Sequence, residues 1–309
     1  MRKKFLAVMT AAVITTMAFT GCGSSSNDKT TDAGTNASTA LTGDISVISR
    51  EDGSGTRGAF VELMGIVDDQ DNDITTQTAE ITNSTSVMLK TVSQNEKSIG
   101  YVSLGSLSTD VKALKVDGAE ATAENVKAGS YKVSRPFNIC YKEDKLSDLD
   151  KDFISYVMSE EGQKIVNDEG YIGLTPEGKY TGSKQKGKIT LAGSTSVSPL
   201  MDKIKDAYTA INPDVTIEIQ ESGSSAGIQA ATEGAAQIGM SSRELKDEEL
   251  SAGLTSKQIA MDGIAVIVNN ANPLTDITSD QIKGIYTGET TKWEDVKSVS
   301  YTHLTLPTT

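Results

Sequence analysis

Apolar positions along the chain fall into two alternating patterns, short β-branched runs and longer runs spaced by three and four. Ile45, Val47 and Ile48 form a first short run, read as a strand. Phe60, Val61, Leu63 and Met64 then mark one side of a helix. Val87, Met88, Leu89 and Val92 repeat the helical spacing after the polar stretch Ile81–Ser86. Ile99–Val102 and Leu114–Val116 read as strands, Thr122–Val126 as a short helix, and Tyr131–Tyr141 as an extended run containing Pro136. Phe153, Ile154, Val157, Met158, Ile165 and Val166 predict one helix over Leu149–Val166, stopped near Gly170. Thr175–Lys188 is polar and turn-rich, and reads as a linker.

The alternation then starts afresh. Ile189–Ala192 is a strand, and Val197, Leu200, Met201, Ile204, Tyr208 and Ile211 line one helix face, with Pro199 allowed in the first turn. Val215, Ile217 and Ile219 alternate as a strand, Ile228–Glu233 is helical, and Ile238–Met240 is a buried strand. Ile259–Val268 is a long apolar strand, and Ile277–Tyr286 a short helix. Strand, polar loop and helix recur, which predicts an α/β fold with a largely parallel sheet. Ligands of such sheets sit at the carboxyl ends of the strands. Polar loops at 52–57, 193–196, 222–225 and 241–243 all fall there.

The first of these, within Ser49-Arg50-Glu51-Asp52-Gly53-Ser54-Gly55-Thr56-Arg57, is built for an anion. The first amides of a helix have no partner within it, and the helix dipole adds partial positive charge there. Gly53 and Gly55 admit a ligand close to the backbone, Ser54 and Thr56 add donors, and Arg50 adds a planar fork suited to a tetrahedral oxyanion. No Gly-Lys-Ser/Thr follows, so this is not a nucleotide P-loop.

The 309 residues suffice for two lobes, and the net charge of −13 argues against nucleic acid as a partner. Any bound anion must therefore be held by local amides, hydroxyls and arginines. The Asp68–Asp73 loop lacks the Glu and Gly spacing of a calcium loop and reads as solvated. Arg2, Lys3 and Lys4 before the apolar Phe5–Thr20 form a targeting segment, and Phe19-Thr20-Gly21-Cys22 has the form of a lipoprotein cleavage box. Residues 1–21 are accordingly expected to be a signal peptide, Cys22 the lipidated membrane anchor, and residues 22–42 a flexible tether. Cys140, in an apolar run, is expected to be buried. Residues 298–309 differ in composition from everything before them, read like a translated adapter oligonucleotide, and are expected to be a non-native tail. They hold the only histidine, His303, so the body of the chain offers no histidine base and no Cys/His metal cluster.

These stretches resemble the phosphate-binding component of the high-affinity phosphate ABC transporter. The resemblance rests on the GSTS loop at 193–196, GSSAG at 223–227, IGMSSRE at 238–244, DGIAVIVN at 262–269 and YTGETTKWEDV at 286–296. It rests equally on SREDGSGT at 49–56, SIGYVSLGSL at 98–107, YKVSRPFNI at 131–139 and EEGQKIVNDEGYIGL at 160–174. It implies a two-lobed periplasmic-binding-protein fold with two crossover strands. The family's N-terminal half lies here at 189–297 and its C-terminal half at 45–175, so the resemblance implies a circularly permuted order. The linker at 175–188 would then join the family's old termini, and the new ends near 44 and 297 would lie close in space. Expected lobes are 43–134 with 271–297, and 135–270.

The resemblance implies that phosphate is bound by Thr195, Ser196, Ser224, Arg50, Ser54, Gly55 and Thr56, with Ser242 where the family often has Asp. A hydroxyl there can accept or donate, which leaves sulfate open as an alternative ligand. Asp52 is expected to pair with Arg50, with Arg243 also behind the ligands. The implied activity is capture and delivery of inorganic phosphate to an ABC permease, by an extracytoplasmic, lipid-anchored monomer without a cofactor. A serine-dependent surface phosphatase is disfavoured because no base accompanies Ser54 or Ser196. A phosphate sensor on the same fold is a further alternative.

Overall fold

The computed structural model describes residues 41–182 and 184–297. Its first unit is β1 (Ser46–Arg50), α1 (Gly55–Leu63), β2 (Glu80–Thr82), α2 (Thr85–Gln94) and β3 (Ser98–Ser103). β4 (Val111–Ala113), β5 (Lys115–Val116) and α3 (Ala123–Lys127) lead to the crossover strand β6 (Ser134–Tyr141). Then come α4 (Asp148–Met158), α5 (Glu160–Asp168) and β7 (Lys186–Gly193). The second unit of like form is α6 (Ser198–Ile211), β8 (Asp214–Glu221), α7 (Ser224–Glu233), β9 (Ile238–Ser241) and α8 (Asp247–Ser251). The long β10 (Thr255–Asn269), β11 (Asp276–Ile277) and α9 (Ser279–Thr287) complete it.

Among the described residues one nine-stranded sheet runs in the order β2-β1-β3-β10-β6-β9-β7-β8, with β4 also on β10. β1 lies parallel to β2 and β3, and β7 parallel to β8 and β9. The middle is antiparallel, because β10 runs against β3 and β6, and β6 against β9. The expected parallel sheet is thus parallel in each flank and reversed where the chain crosses between them.

Two main cores lie along this sheet. Phe137, Phe153, Tyr208, Ile238 and Ala260 belong to one, and Phe60, Tyr101, Val133, Ile264 and Tyr286 to the other. Both crossing segments change core, the first between Val133 and Phe137 where β6 starts, and the second within β10 between Ala260 and Ile264. Ile264, Val266 and Val268 pack in the core that also holds Phe60, Tyr101 and Tyr286; the apolar face of a single long strand gives no sign of the change.

The predicted helix over 149–166 is two helices. Ser159 breaks it: extended at φ −74°, ψ 171°, its Oγ donates to the Tyr156 carbonyl and accepts from the Gly162 amide, so it caps α5. The linker is docked at Tyr180. Tyr180 packs edge-on against Tyr156 at 5.0 Å, and its hydroxyl donates to Asp152 at 2.6 Å, which also accepts from Tyr208 at 2.7 Å. Asp68 accepts from Gln70 and Asn72, closing its own surface turn. The two ends of the described fold meet: Gly43 N–H donates to Glu294 at 2.7 Å, and Trp293 N–H to the Gly43 carbonyl at 3.0 Å.

Candidate oxyanion site

The polar loops follow the carboxyl ends of β1, β2, β7, β8 and β9. β1 ends at Arg50, held in place by Tyr101 of β3. The Tyr101 hydroxyl accepts from the Arg50 amide at 3.2 Å and shares a hydrogen bond with Ser49 Oγ at 2.9 Å. Tyr101 stacks on Phe60 of α1 at 4.0 Å, so the strand, the helix and the loop between them are one packed unit. Burial pushes the Tyr101 hydroxyl up to about 12, keeping it neutral in this role.

The Arg50 side chain is 2% exposed as a residue and faces the other half of the molecule. Its Nη2 donates to Thr195 Oγ1 at 3.1 Å, and its Nη1 reaches Thr85 Oγ1 at 3.5 Å. Thr56 Oγ1 and Ser196 Oγ share a bond of 2.9 Å, and Thr85 Oγ1 lies 3.1 Å from Ser196 Oγ. Deeper in, Ser194 Oγ donates to Ser242 Oγ at 2.9 Å, and Ser224 Oγ is 3.3 Å from Ser242 Oγ. Gly55 lies over that pair so closely that a Cβ would come within 2.4 Å of Ser224 Oγ and 2.8 Å of Ser242 Oγ. Gly193 is required for a similar reason, at φ +139° with its α-carbon against the Met240 carbonyl.

Arg50, Gly55, Thr56, Thr195, Ser196, Ser224 and Ser242 thus converge on one buried place where α1, α2, α6 and α7 all begin or approach. Their opening amides add donors aimed the same way. Ser54 lies beside them as the cap of α1, its Oγ accepting from the Arg57 amide at 3.3 Å. The arrangement offers hydroxyls, amides and one guanidinium, which suits a compact oxyanion with several acceptor atoms.

One expected contact is different. Arg50 pairs with Glu51, Nε to Oε2 and Nη2 to Oε1, both at 2.8 Å. Asp52, 98% exposed at its side chain, instead pairs with Arg57 at 2.8 Å. The reason is the turn: Ser54 N–H bonds back to the Glu51 carbonyl, which throws Asp52 outward, and Arg57 ties Asp52, Asp73 and the Arg50 carbonyl together from outside. Arg243 sits at the rim, bonded to Glu249 and to Ser225 Oγ at 3.0 Å. Ser225 N–H in turn donates to the Gly53 carbonyl of the opposite wall at 3.0 Å.

Two buried residues at the site were not among the sequence candidates. Thr85 opens α2, and its amide and hydroxyl both lie 3.3 Å from Thr195 Oγ1. The polar helix start at 81–86 was a visible signal for it. Arg135 of β6 lies beneath the site and donates to the Ser242 carbonyl at 3.2 Å; nothing in an extended run containing one arginine marks it.

Two α/β flanks with a polar site between them describe a binding-protein class, and the chain matches the PBP superfamily domain over residues 26–161 and 178–308. Phosphate-binding protein PstS 2 of Streptococcus agalactiae serotype V is 50% identical over 264 residues, covering 84% of this chain and 90% of its own. PstS 2 of Streptococcus pneumoniae serotype 4 is 47% identical over 262 residues, covering 84% and 89%. The crystal structure of the phosphate-binding protein of a phosphate ABC transporter from S. pneumoniae TIGR4 covers 82% of this chain and all of its own, at 47% identity and a TM-score of 0.66. The chain belongs to the PstS family of phosphate-binding proteins.

Proposed function

We propose that this protein captures inorganic phosphate between its two walls and delivers it to the permease of a phosphate ABC transporter, performing no chemistry on it. The observation that carries the reading is the meeting of Arg50 and Thr56 from one wall with Thr195 and Ser196 from the other at 2.9–3.1 Å. A ligand gripped there touches both walls and favours their approach. Phosphate would lie against Arg50, Ser54, Gly55, Thr56, Thr195, Ser196, Ser224 and Ser242, with Thr85 added.

The lobes are read as 43–134 with 264–297, and 135–263. The names of the relatives support an extracytoplasmic setting, and no described helix is long and apolar enough to cross a membrane. Anchoring through a lipid on Cys22, a signal peptide at 1–21 and a non-native tail at 298–309 with His303 belong to this reading; these segments lie outside the described residues, as does most of the 22–42 tether. The protein is read as a monomer. The chain order is read as native and permuted relative to the family's other order. The continuous match through 90% of the S. agalactiae protein supports its being native, and the contact of Gly43 with Trp293 and Glu294 supports a ring that could open elsewhere.

Calorimetry on anion-stripped protein with phosphate, sulfate and arsenate tests the function. Tight one-to-one phosphate binding with little sulfate binding is expected. Binding of none of them by the folded protein would sink the reading. Sulfate is a second reading, favoured by the hydroxyl of Ser242, whose neighbours at 2.9 and 3.3 Å are themselves hydroxyls. Equal binding of sulfate and phosphate would establish it.

A further inference from the structure

Beneath the hydroxyls lies a further arginine–carboxylate pair, buried at both partners. Arg135 and Asp262 face each other in register on β6 and β10, the strands that cross between the two cores. Their side chains are 1% and 0% exposed. Arg135 Nε and Nη2 both donate to Asp262 Oδ2, at 3.3 and 3.2 Å, and its guanidinium lies 5.3 Å from the Phe137 ring centre. The remaining contacts leave the pair in opposite directions. Arg135 Nη1 donates to the carbonyl of Ser242, whose own hydroxyl is in the site. Asp262 Oδ1 accepts from Ser103 Oγ at 2.9 Å, at the end of β3, which pairs with β1, the strand that carries Arg50.

A buried ion pair is costly to desolvate, and an apolar pair of the same volume is often as stable. A pair kept under a binding site, with its free valences spent on both walls, is therefore better explained by position than by stability. We propose that Arg135 and Asp262 form the joint that fixes the two walls at oxyanion-binding distance, with Arg135 the positioning residue for Ser242. The affinity part of this inference rests on the phosphate reading; the geometric part does not.

The test is Arg135→Lys in the full chain. A lysine keeps the charge beside Asp262, but one ammonium cannot serve both that carboxylate and the Ser242 carbonyl. Phosphate affinity is expected to fall about tenfold, the loss of one charge-assisted hydrogen bond. The melting temperature should stay near wild type, and hydrogen exchange should quicken at 51–57 and 194–198 but not in β3 or β7. Wild-type affinity with wild-type exchange would overturn the proposal. So would a lowered melting temperature with exchange raised uniformly, which marks a merely structural pair. If the lysine variant does not fold, Arg135→Met with Asp262→Leu removes both charges and carries the same expectations. If the wild-type protein binds neither phosphate, sulfate nor arsenate, the functional reading fails, and the exchange pattern alone decides the joint.

Discussion

Of the arginine–carboxylate pairs in this polar region, Arg50–Glu51 and Arg135–Asp262 are the most buried at the arginine, and they are built differently. Arg50 spends Nε and one edge of Nη2 on Glu51, leaving Nη1 with only a 3.5 Å contact to Thr85. Glu51 is 25% exposed at its side chain, so this pair stands at the edge of solvent. Arg135 spends Nε, Nη1 and Nη2 on protein atoms and sees no solvent. A guanidinium whose Nη1 has only a long contact beside the hydroxyls can exchange that contact for a ligand oxygen; one buried between strands, with its bonds going to Asp262 and the Ser242 carbonyl, is placed to hold other groups still. On the proposed function, the same residue types would serve binding in one place and geometry in the other.

The comparison breaks most visibly if Asp262 is removed. Asp262→Ala leaves Arg135 buried and unpaired, and should lower unfolding free energy by about 3–5 kcal/mol. Denaturant titration measures it; a loss below about 1 kcal/mol would mean the pair is not held as described. Arg50→Ala should act on binding instead. Loss of a charge-assisted fork in a dry site is expected to weaken phosphate binding by about 3 kcal/mol, with the melting temperature of the anion-free protein little changed. Unchanged affinity would remove Arg50 from the site.

The buried pair can also be probed by pH. Burial pushes the Asp262 carboxyl up to about 6, outweighing the pull of Arg135. An unfolded Asp titrates near 3.9. Between about pH 4 and 6 the folded state therefore holds a proton the unfolded state has lost, so the Asp262 contribution to stability falls as pH rises through that window and is flat above it. The stability difference between wild type and Asp262→Asn should change by about 3 kcal/mol across the window. A difference independent of pH would show that Asp262 is already ionised in acid.

The strand–loop–helix order and the residues that converge at the polar site were readable because they are local. Glycines, hydroxyls and apolar spacing within a dozen residues dictate where a helix starts and what its amides face, and Arg50, Gly55, Thr56, Thr195, Ser196, Ser224 and Ser242 were found that way or by family likeness. Most of the misses were of contacts between distant segments. Arg135 meets Asp262 and Ser242 only because β6, β9 and β10 lie side by side. The core change inside β10 depends on its neighbours, since the strand is apolar on both sides of it. Ser159 looked like one polar position in a helix because its cap geometry is invisible to periodicity.

The finest difference lies between adjacent acids. Family likeness assigned the Arg50 partner to Asp52, and the turn geometry gives it to Glu51. Glu51→Gln keeps the size of the side chain but turns a charge-assisted fork into one neutral acceptor beside Arg50, so the guanidinium is held less firmly. Phosphate affinity should fall by about 1 kcal/mol. Asp52→Asn alters an exposed pair with Arg57, which stays anchored by Asp73 and the Arg50 carbonyl, so affinity should not change. Parallel calorimetry on the two variants decides the matter. The reverse result, with Asp52→Asn the weaker binder, would return the orienting role to Asp52 and mean that the Ser54–Glu51 turn opens when the anion is held.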